Sequence, residues 1–341
     1  MVVRAGTLAL RFERRALIVG AVLMTAAAAV AAAALMIGDY PLTPAQALGS
    51  LFGFGDDPLA RYFVQNQRAP RVVAAAAVGA ALGMSGCVFQ SISDNPLGSP
   101  DVIGFTTGAA TGALAQIIVF DAGPAAISGG AVAGGFAAAT AVYLLAWRRG
   151  LAGFRLVLVG VGVAALLQAC NALLIVRASL TAAQTAAVWL AGSLNATTWT
   201  EASLVTVALA VLGPAALTLS RPLGTLMMGD DLAAGLGVRV ERRRLELVAV
   251  GVALVCVAVA AAGPVAFVAL AAPQLAKRLT RTAGTGMASA GSMGALLVLA
   301  ADLVAQRIFA PTQLPVGVVT GSLGGVYLIW LLAREWRRNP A

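Results

Sequence analysis

Side chains able to do chemistry are scarce in this sequence, and their types exclude more than they permit. No histidine occurs in 341 residues, which removes the commonest general base and the commonest metal ligand. The three cysteines, Cys87, Cys170 and Cys256, each sit inside an apolar stretch without metal-ligand spacing. Each reads as a small buried hydrophobe. The single lysine, Lys277, follows Pro273-Gln274-Leu275-Ala276 with no glycine-rich turn before it, so a phosphate-binding loop is missing. No hydroxyl or thiol stands beside a group that would activate it as a nucleophile. Neither catalysis, nor a metal site, nor a cofactor bound by this chain is expected.

Two segments offer contact chemistry instead. In Arg68-Ala69-Pro70-Arg71 two arginines precede a long apolar run. They read either as side chains snorkelling to an interface or as a docking site for an acidic patch on an external partner. The segment Gly229-Asp230-Asp231-Leu232-Ala233-Ala234-Gly235-Leu236-Gly237-Val238 carries an acid that caps a helix start and glycines that end one. Arg242-Arg243-Arg244 follow. It reads as an ordinary connecting loop or as a knob that docks on a separate motor protein, and periodicity does not choose between them. Acids within apolar runs are few: Asp302 lies in one, and Asp94 and Asp101 flank a Pro- and Gly-rich break. A charge at mid-bilayer costs ~2.5–3.5 kcal/mol on insertion scales. Asp302 is therefore expected to pair or hydrogen-bond near the end of its helix rather than couple an ion gradient.

The elements that must position these residues are membrane helices. Hydrophobic residues make up 60% of the chain and charged ones 11%, with a mean hydropathy of +0.90; a soluble domain carries about a quarter charged residues. The net charge of +9 comes almost wholly from arginines scattered between apolar runs. That pattern is the positive-inside signal rather than a nucleic-acid surface. Runs of about 20 apolar residues cross a bilayer. A run over 178–200 is polar for lipid, and one over 247–276 is too long for one span and is broken at Gly263-Pro264. Laying the first along the outer face and reversing the chain at the second places 18 of the 23 basic residues inside. The inner segments then include 221–246 and Arg148, Arg149 and Arg155, while Arg61, Arg68, Arg71, Arg177 and Arg307 stay outside.

The expected architecture is an all-α membrane protein, a polytopic bundle of ten transmembrane helices forming a single permease domain over 1–341. Spans are expected near 16–38, 72–93, 102–120, 122–147, 156–176, 202–220, 247–264, 265–281, 284–306 and 314–333, with an outer-face helix near 181–193. Both termini are expected in the cytoplasm, the first span is retained, and no soluble domain is appended at either end. Small-xxx-small pairs at Gly79/Gly83, Gly130/Gly134 and Gly321/Gly325 read as helix-packing faces.

At this point a resemblance becomes specific. Arg68-Ala69-Pro70-Arg71, Val78 to Gly86, Gln90 and Asn95-Pro96-Leu97 occur in order. So do Trp189 to Leu194, Ala234 to Val238, Ala262 to Val268, Ala301-Asp302-Leu303 and Leu314 to Thr320. Together they resemble the FecCD family of permeases, which serve importers of ferric siderophores, haem and vitamin B12. The matches run from about 68 to 334, and the stretch Asn95 to Phe105 looks most like the ferric-enterobactin branch. The resemblance implies a type II ATP-binding-cassette (ABC) importer permease in the inner membrane, paired with a second permease subunit, identical or different. Two ATPase subunits would carry ATP and Mg, and an extracytoplasmic substrate-binding protein would dock outside. Carried over, Gly229 to Val238 becomes the ATPase-coupling segment, and Arg68 and Arg71 become docking arginines. The family's further arginine falls at Gln306, with Arg307 next to it. Where the family commonly has Pro-His and Asp-His-Arg, this chain has Pro273-Gln274 and Arg281-Thr282-Ala283. Gln168, Asn171, Gln184 and Asn195 are polar candidates for the pathway lining, or interhelical hydrogen bonds. A haem or vitamin B12 permease with the same machinery, and an ion-coupled carrier, are the alternative readings.

Overall fold

In hydrocarbon no water satisfies a backbone N–H or C=O, so apolar runs of this length fold as helices. The computed structural model describes residues 2–5, 8–11, 14–38, 40–54, 57–147, 153–281 and 284–338, with side chains described between 14 and 329. Arg148, Arg149, Thr282 and Ala283 lie outside the described residues. The chain opens with an antiparallel hairpin, β1 (Val2–Ala5) and β2 (Leu8–Arg11). All other regular structure among the described residues is helical.

α1 (Arg14–Met36) leads to α2 (Pro44–Leu51) and α3 (Pro58–Tyr62). The short helices are set by their caps: Thr43 and Gln46 form a reciprocal capping box, and the Asp57 carboxylate accepts from the N–H groups of Leu59 and Ala60. A π-helical turn, Phe63–Arg68, runs directly into α4 (Ala69–Ile92). Then follow α5 (Phe105–Ile118), α6 (Pro124–Ala146), α7 (Gly153–Arg177), α8 (Leu180–Leu190) and α9 (Trp199–Thr218). α10 (Ser220–Leu226) and α11 (Asp230–Gly235) precede α12 (Val240–Ala262), α13 (Val268–Thr280), α14 (Met287–Arg307) and α15 (Val316–Arg338).

Seven helical segments among the described residues are long and apolar enough to cross a membrane. That measure does not reach the expected ten, because α5 and α13 have only 14 and 13 residues and the side chains of α15 are described only as far as Ile329. Local chemistry shortens the first two. Gly104 takes a left-handed conformation (φ 91°) just before α5, so that helix starts later than the expected 102. Gly263 (φ 68°) and Phe267 (φ 74°) bracket the break between α12 and α13. The two short helices begin beside one another. Asp101 accepts the Thr106 hydroxyl of α5 at 2.6 Å and also the Phe267 backbone N–H at the start of α13.

α4 is the axis of the bundle, buried almost throughout from Ala74 to Ile92 and packed on α14, α12, α13 and α9. It packs backbone to backbone on α14, where a methyl group on Gly79 or Gly83 would collide with the carbonyl oxygen of Gly294 or Ala290, and on α13, where one on Gly86 would collide with that of Ala269. A second small-residue seam joins Gly108 and Gly112 of α5 to Gly130 and Gly134 of α6. The third pair expected to pack differs. Gly325 has nothing within 4 Å, and a methyl on Gly321 would reach only Ala266 at 3.9 Å. Among the described residues no other helix packs closely against that face.

Candidate functional site

At the end of the bundle where α4 begins, three arginines from two distant parts of the sequence line one small cavity of about 80 Å³: Arg68, Arg71 and Arg307. Arg68 donates to the carbonyl oxygens of Leu35 at 2.8 Å and Tyr40 at 2.6 Å, tying the π-helical turn to the end of α1. Arg71 makes a fork to Asp302: Nε lies 2.9 Å from Oδ2 and Nη2 2.9 Å from Oδ1. Its Nη1 donates to Gln313 Oε1 at 2.7 Å, and Gln306 Nε2 donates to Asp302 at 2.8 Å. The side chains of Arg71 and Asp302 are only 11% and 4% exposed. A charge that deep is tolerated when paired and hydrogen-bonded. Asp302 is thus engaged structurally near the end of its helix. In this conformation Arg71 has its guanidinium satisfied within the chain.

Gln313 also lines a larger cleft of about 800 Å³ on the same face. Its walls come from α6, α8, the segment before α9, the end of α12 and the approach to α15. Polar groups on it include Gln184, Ser193, Asn195, Thr197 and Glu201. Of the four amides singled out in the sequence, Gln184 and Asn195 meet here. Gln168 and Asn171 lie on α7 away from this cleft; Gln168 is exposed, and buried Asn171 has no hydrogen-bond partner for Oδ1 among the described residues. The back of the cleft is a three-way backbone contact. The Ser193 N–H donates to the Ala262 carbonyl at 2.8 Å and the Gly317 N–H donates to that of Gly192 at 3.0 Å. A methyl on Gly192 would strike the Pro264 carbonyl, one on Gly263 that of Trp189, and one on Gly317 that of Ala191. Three motifs that stand apart in the sequence therefore form one junction, where α12 breaks, α8 ends and α15 starts.

The opposite end of α12 carries the 229–238 segment. Asp230 and Asp231 sit in the first turn of α11, where the helix dipole favours acids. Gly229 (φ 105°) and Gly237 (φ 81°) take positive backbone angles that only glycine adopts at little strain. Ala233 is fully buried, whereas Leu232 and Leu236 are exposed. A methyl on Gly235 would meet nothing within 4 Å. α11 is tethered to α12 by Arg244, whose side chain is 9% exposed and whose Nη2 lies 2.7 Å from Asp230 Oδ1. α11 is thus an apolar-tipped knob fixed to the root of α12.

In the sequence Arg71 and Asp302 stand 231 residues apart, and nothing there marks Gln306 or Gln313 as their partners. The usable signal was an acid in an apolar run and an arginine on the side that the charge bias disfavours. Each needed a counter-charge. Gln274, in the position where the family commonly has histidine, donates to Gln90 Oε1 at 2.7 Å, and Gln90 in turn donates to the Leu270 carbonyl at 2.9 Å.

A helical bundle broken at α12–α13, with a polar cleft on one face and a tethered knob on the other, is the architecture of a polytopic membrane transport protein. The chain belongs to the FecCD transport family, whose model matches residues 17–334. It is 47% identical to the ferric enterobactin transport system permease protein FepG of Escherichia coli, over 96% of this chain and 99% of that one. It is 39% identical to the achromobactin transport system permease protein CbrC of Dickeya dadantii, over 90% of this chain and 88% of that protein. A solved structure described as an inward-facing conformation of a metal-chelate type ABC transporter superposes with a TM-score of 0.82 at 26% identity, covering 93% of this chain and 99% of that one.

Proposed function

We propose that this chain is the membrane-spanning subunit of an ABC importer that passes a ferric siderophore of the enterobactin kind across the inner membrane. The observation that carries this reading is the near full-length likeness to the ferric enterobactin permease, on a fold whose solved relative faces inward. In this reading α5, α13 and α15 join the seven long segments to make ten spans. Both termini and α11 lie in the cytoplasm, and the Arg71 face lies outside. ATP and Mg are held by separate ATPase subunits, not by this chain.

Two such ATPase subunits would grip the 229–238 knob. Nucleotide binding would move α11, and the Asp230–Arg244 tether would pass that motion into α12. α12 is about 34 Å long at 1.5 Å per residue, so its far end, Ala260–Gly263, is the wall of the 800 Å³ cleft. A rigid helix joining knob to cleft suits alternation between two packed states. A substrate-binding protein would meet the Arg68, Arg71 and Arg307 cluster with acidic side chains. In the conformation described here Asp302 already occupies Arg71. Gln184 and Asn195 line the entry to the pathway, with Gln168 and Asn171 assigned to the stretch along α7. The open face of α15 at Gly321 and Gly325 suits a second permease subunit, identical or different.

The test is reconstitution with the candidate ATPase and binding protein. Loaded binding protein should stimulate ATP hydrolysis, and Gly235→Leu or Arg71→Ala should weaken that stimulation. Unchanged stimulation in both variants would remove the site assignments.

A further inference from the structure

Beside α11 lies a third cavity, about 410 Å³, whose arginines have no part in the transport cycle above. Its walls include Arg221, Arg239, Arg242 and Arg243, with Gly237 and Val238 between them, and no carboxylate lines it. Of the neighbouring acids, one pairs with two of these arginines and two face Arg244. Glu246 lies between Arg242 (2.9 Å) and Arg243 (2.7 Å), while Asp230 and Glu241 face Arg244. Even with Glu246 counted, the cavity keeps a positive excess. One wall is the start of α12, a 23-residue helix with no side-chain cap at its N-terminus, so backbone N–H groups and the helix dipole add to the attraction for an anion. Guanidinium groups match phosphate oxygens in a bidentate geometry.

We propose that this cavity binds the phosphate of an anionic phospholipid headgroup, so that lipid charge steadies the root of α12 next to the knob. The proposal rests on the reading that this face is cytoplasmic. Position argues for lipid over a soluble phosphate. α9 ends at Thr218, three residues before Arg221, and the uncharged run of α12 begins at Leu247, four residues after Arg243. Arg221 and Arg243 therefore each stand within about one helical turn of an apolar segment, at headgroup depth, with Arg242 just beyond and Arg239 at the start of α12. Volume argues against a protein occupant, since an α-helix about 10 Å across does not enter a space of this size.

The experiment uses the full chain in non-ionic detergent, titrated with phosphatidylglycerol or phosphatidylcholine, with retained lipids counted by native mass spectrometry. The wild type should hold one phosphatidylglycerol in preference to phosphatidylcholine. Each arginine near a charged surface contributes about fivefold in affinity, so Arg221→Gln/Arg239→Gln/Arg242→Gln should lose about a hundredfold. Thr225→Trp keeps every charge and fills the cavity, and it should lose the same lipid. Arg14→Gln/Arg281→Gln removes charge outside the cavity and should retain it. Equal phosphatidylglycerol affinity in the triple variant and in Thr225→Trp would overturn the proposal. So would displacement of the lipid by millimolar inorganic phosphate, which would assign a soluble anion. Thr225→Cys, in a background without the native cysteines, separates this failure from failure of the topology. Labelling from outside the cell by an impermeant maleimide would sink the orientation itself. Labelling only from inside, blocked by the ATPase subunit and with no lipid preference, would sink the headgroup site alone.

Discussion

Removing Asp302 should damage the protein more than removing Asp302 and Arg71 together. The pair is forked, 2.9 Å at its shortest, and shielded from water on both sides. Asp302→Leu leaves a guanidinium held by Gln313 alone, and Arg71→Leu leaves a carboxylate held by Gln306 alone. Stripping one partner from a buried ion pair costs about 3–5 kcal/mol, whereas replacing both with apolar groups is often near neutral. At about 2 °C per kcal/mol for a large chain, each single variant should lose about 6–10 °C of thermal stability. The double variant should lose clearly less than either. Because the double then costs less than either single, the cycle gives a coupling of at least about 3–5 kcal/mol. The assay is fluorescence-detected size exclusion after heating in detergent, with Asp302→Asn as an intermediate that keeps an acceptor. Losses that simply add, or a neutral Asp302→Leu, would refute the buried pair.

Other perturbations test the remaining elements. Gly79→Leu and Gly294→Leu should each destabilise by well over the ~1–3 kcal/mol typical of overpacking, because the obstruction is backbone. Gly20→Leu, with nothing within 4 Å, should express like wild type. Arg244→Gln should leave the fold intact yet lower binding-protein-stimulated ATPase activity several-fold by loosening α11 from α12; stimulation at the wild-type level would discard the tether. The Tyr40 hydroxyl, 2.7 Å from Asp57, and the Ala60 N–H hold the Asp57 carboxyl below its ordinary value. A depressed folded value means this contact stabilises fully above the unfolded carboxyl pKa, ~4, and is lost as pH falls through the lower folded value. The protection of α3 amides against hydrogen exchange, taken relative to their intrinsic rates, should therefore fall on acidification below pH ~4, and Tyr40→Phe should flatten that response.

Apolar run length located the long helices because lipid leaves the backbone no alternative. It overstated α5, since nothing in hydropathy reveals that Gly104 will turn left-handed. It also did not reveal that α5 and α13 begin side by side, tied through Asp101 to the Phe267 N–H. The small-residue pairs at Gly79/Gly83 and Gly130/Gly134 were legible as packing faces, but their partners at Ala290/Gly294 and Gly108/Gly112 were not, because spacing within one helix says nothing of which helix it meets. The same limit hid the junction of Gly192, Gly263 and Gly317 and the Arg71–Asp302 fork. The 229–238 knob was readable from its glycines, although Gly229 and not an acid is the N-cap and Asp230 falls in the first turn, where it serves the tether to Arg244 that came only from three dimensions. Of the polar residues suggested for a pathway, Gln184 and Asn195 share a cleft and Gln168 and Asn171 do not. A lone amide in an apolar helix carries no address.

The most direct test of the account is uptake of ferric enterobactin into proteoliposomes holding this chain, with its candidate second permease and ATPase subunits and with loaded binding protein outside. The account predicts accumulation that requires ATP on the α11 side and vanishes when either the ATPase or the binding protein is left out. Uptake by this chain alone, driven by a proton or sodium gradient with no nucleotide present, would contradict it.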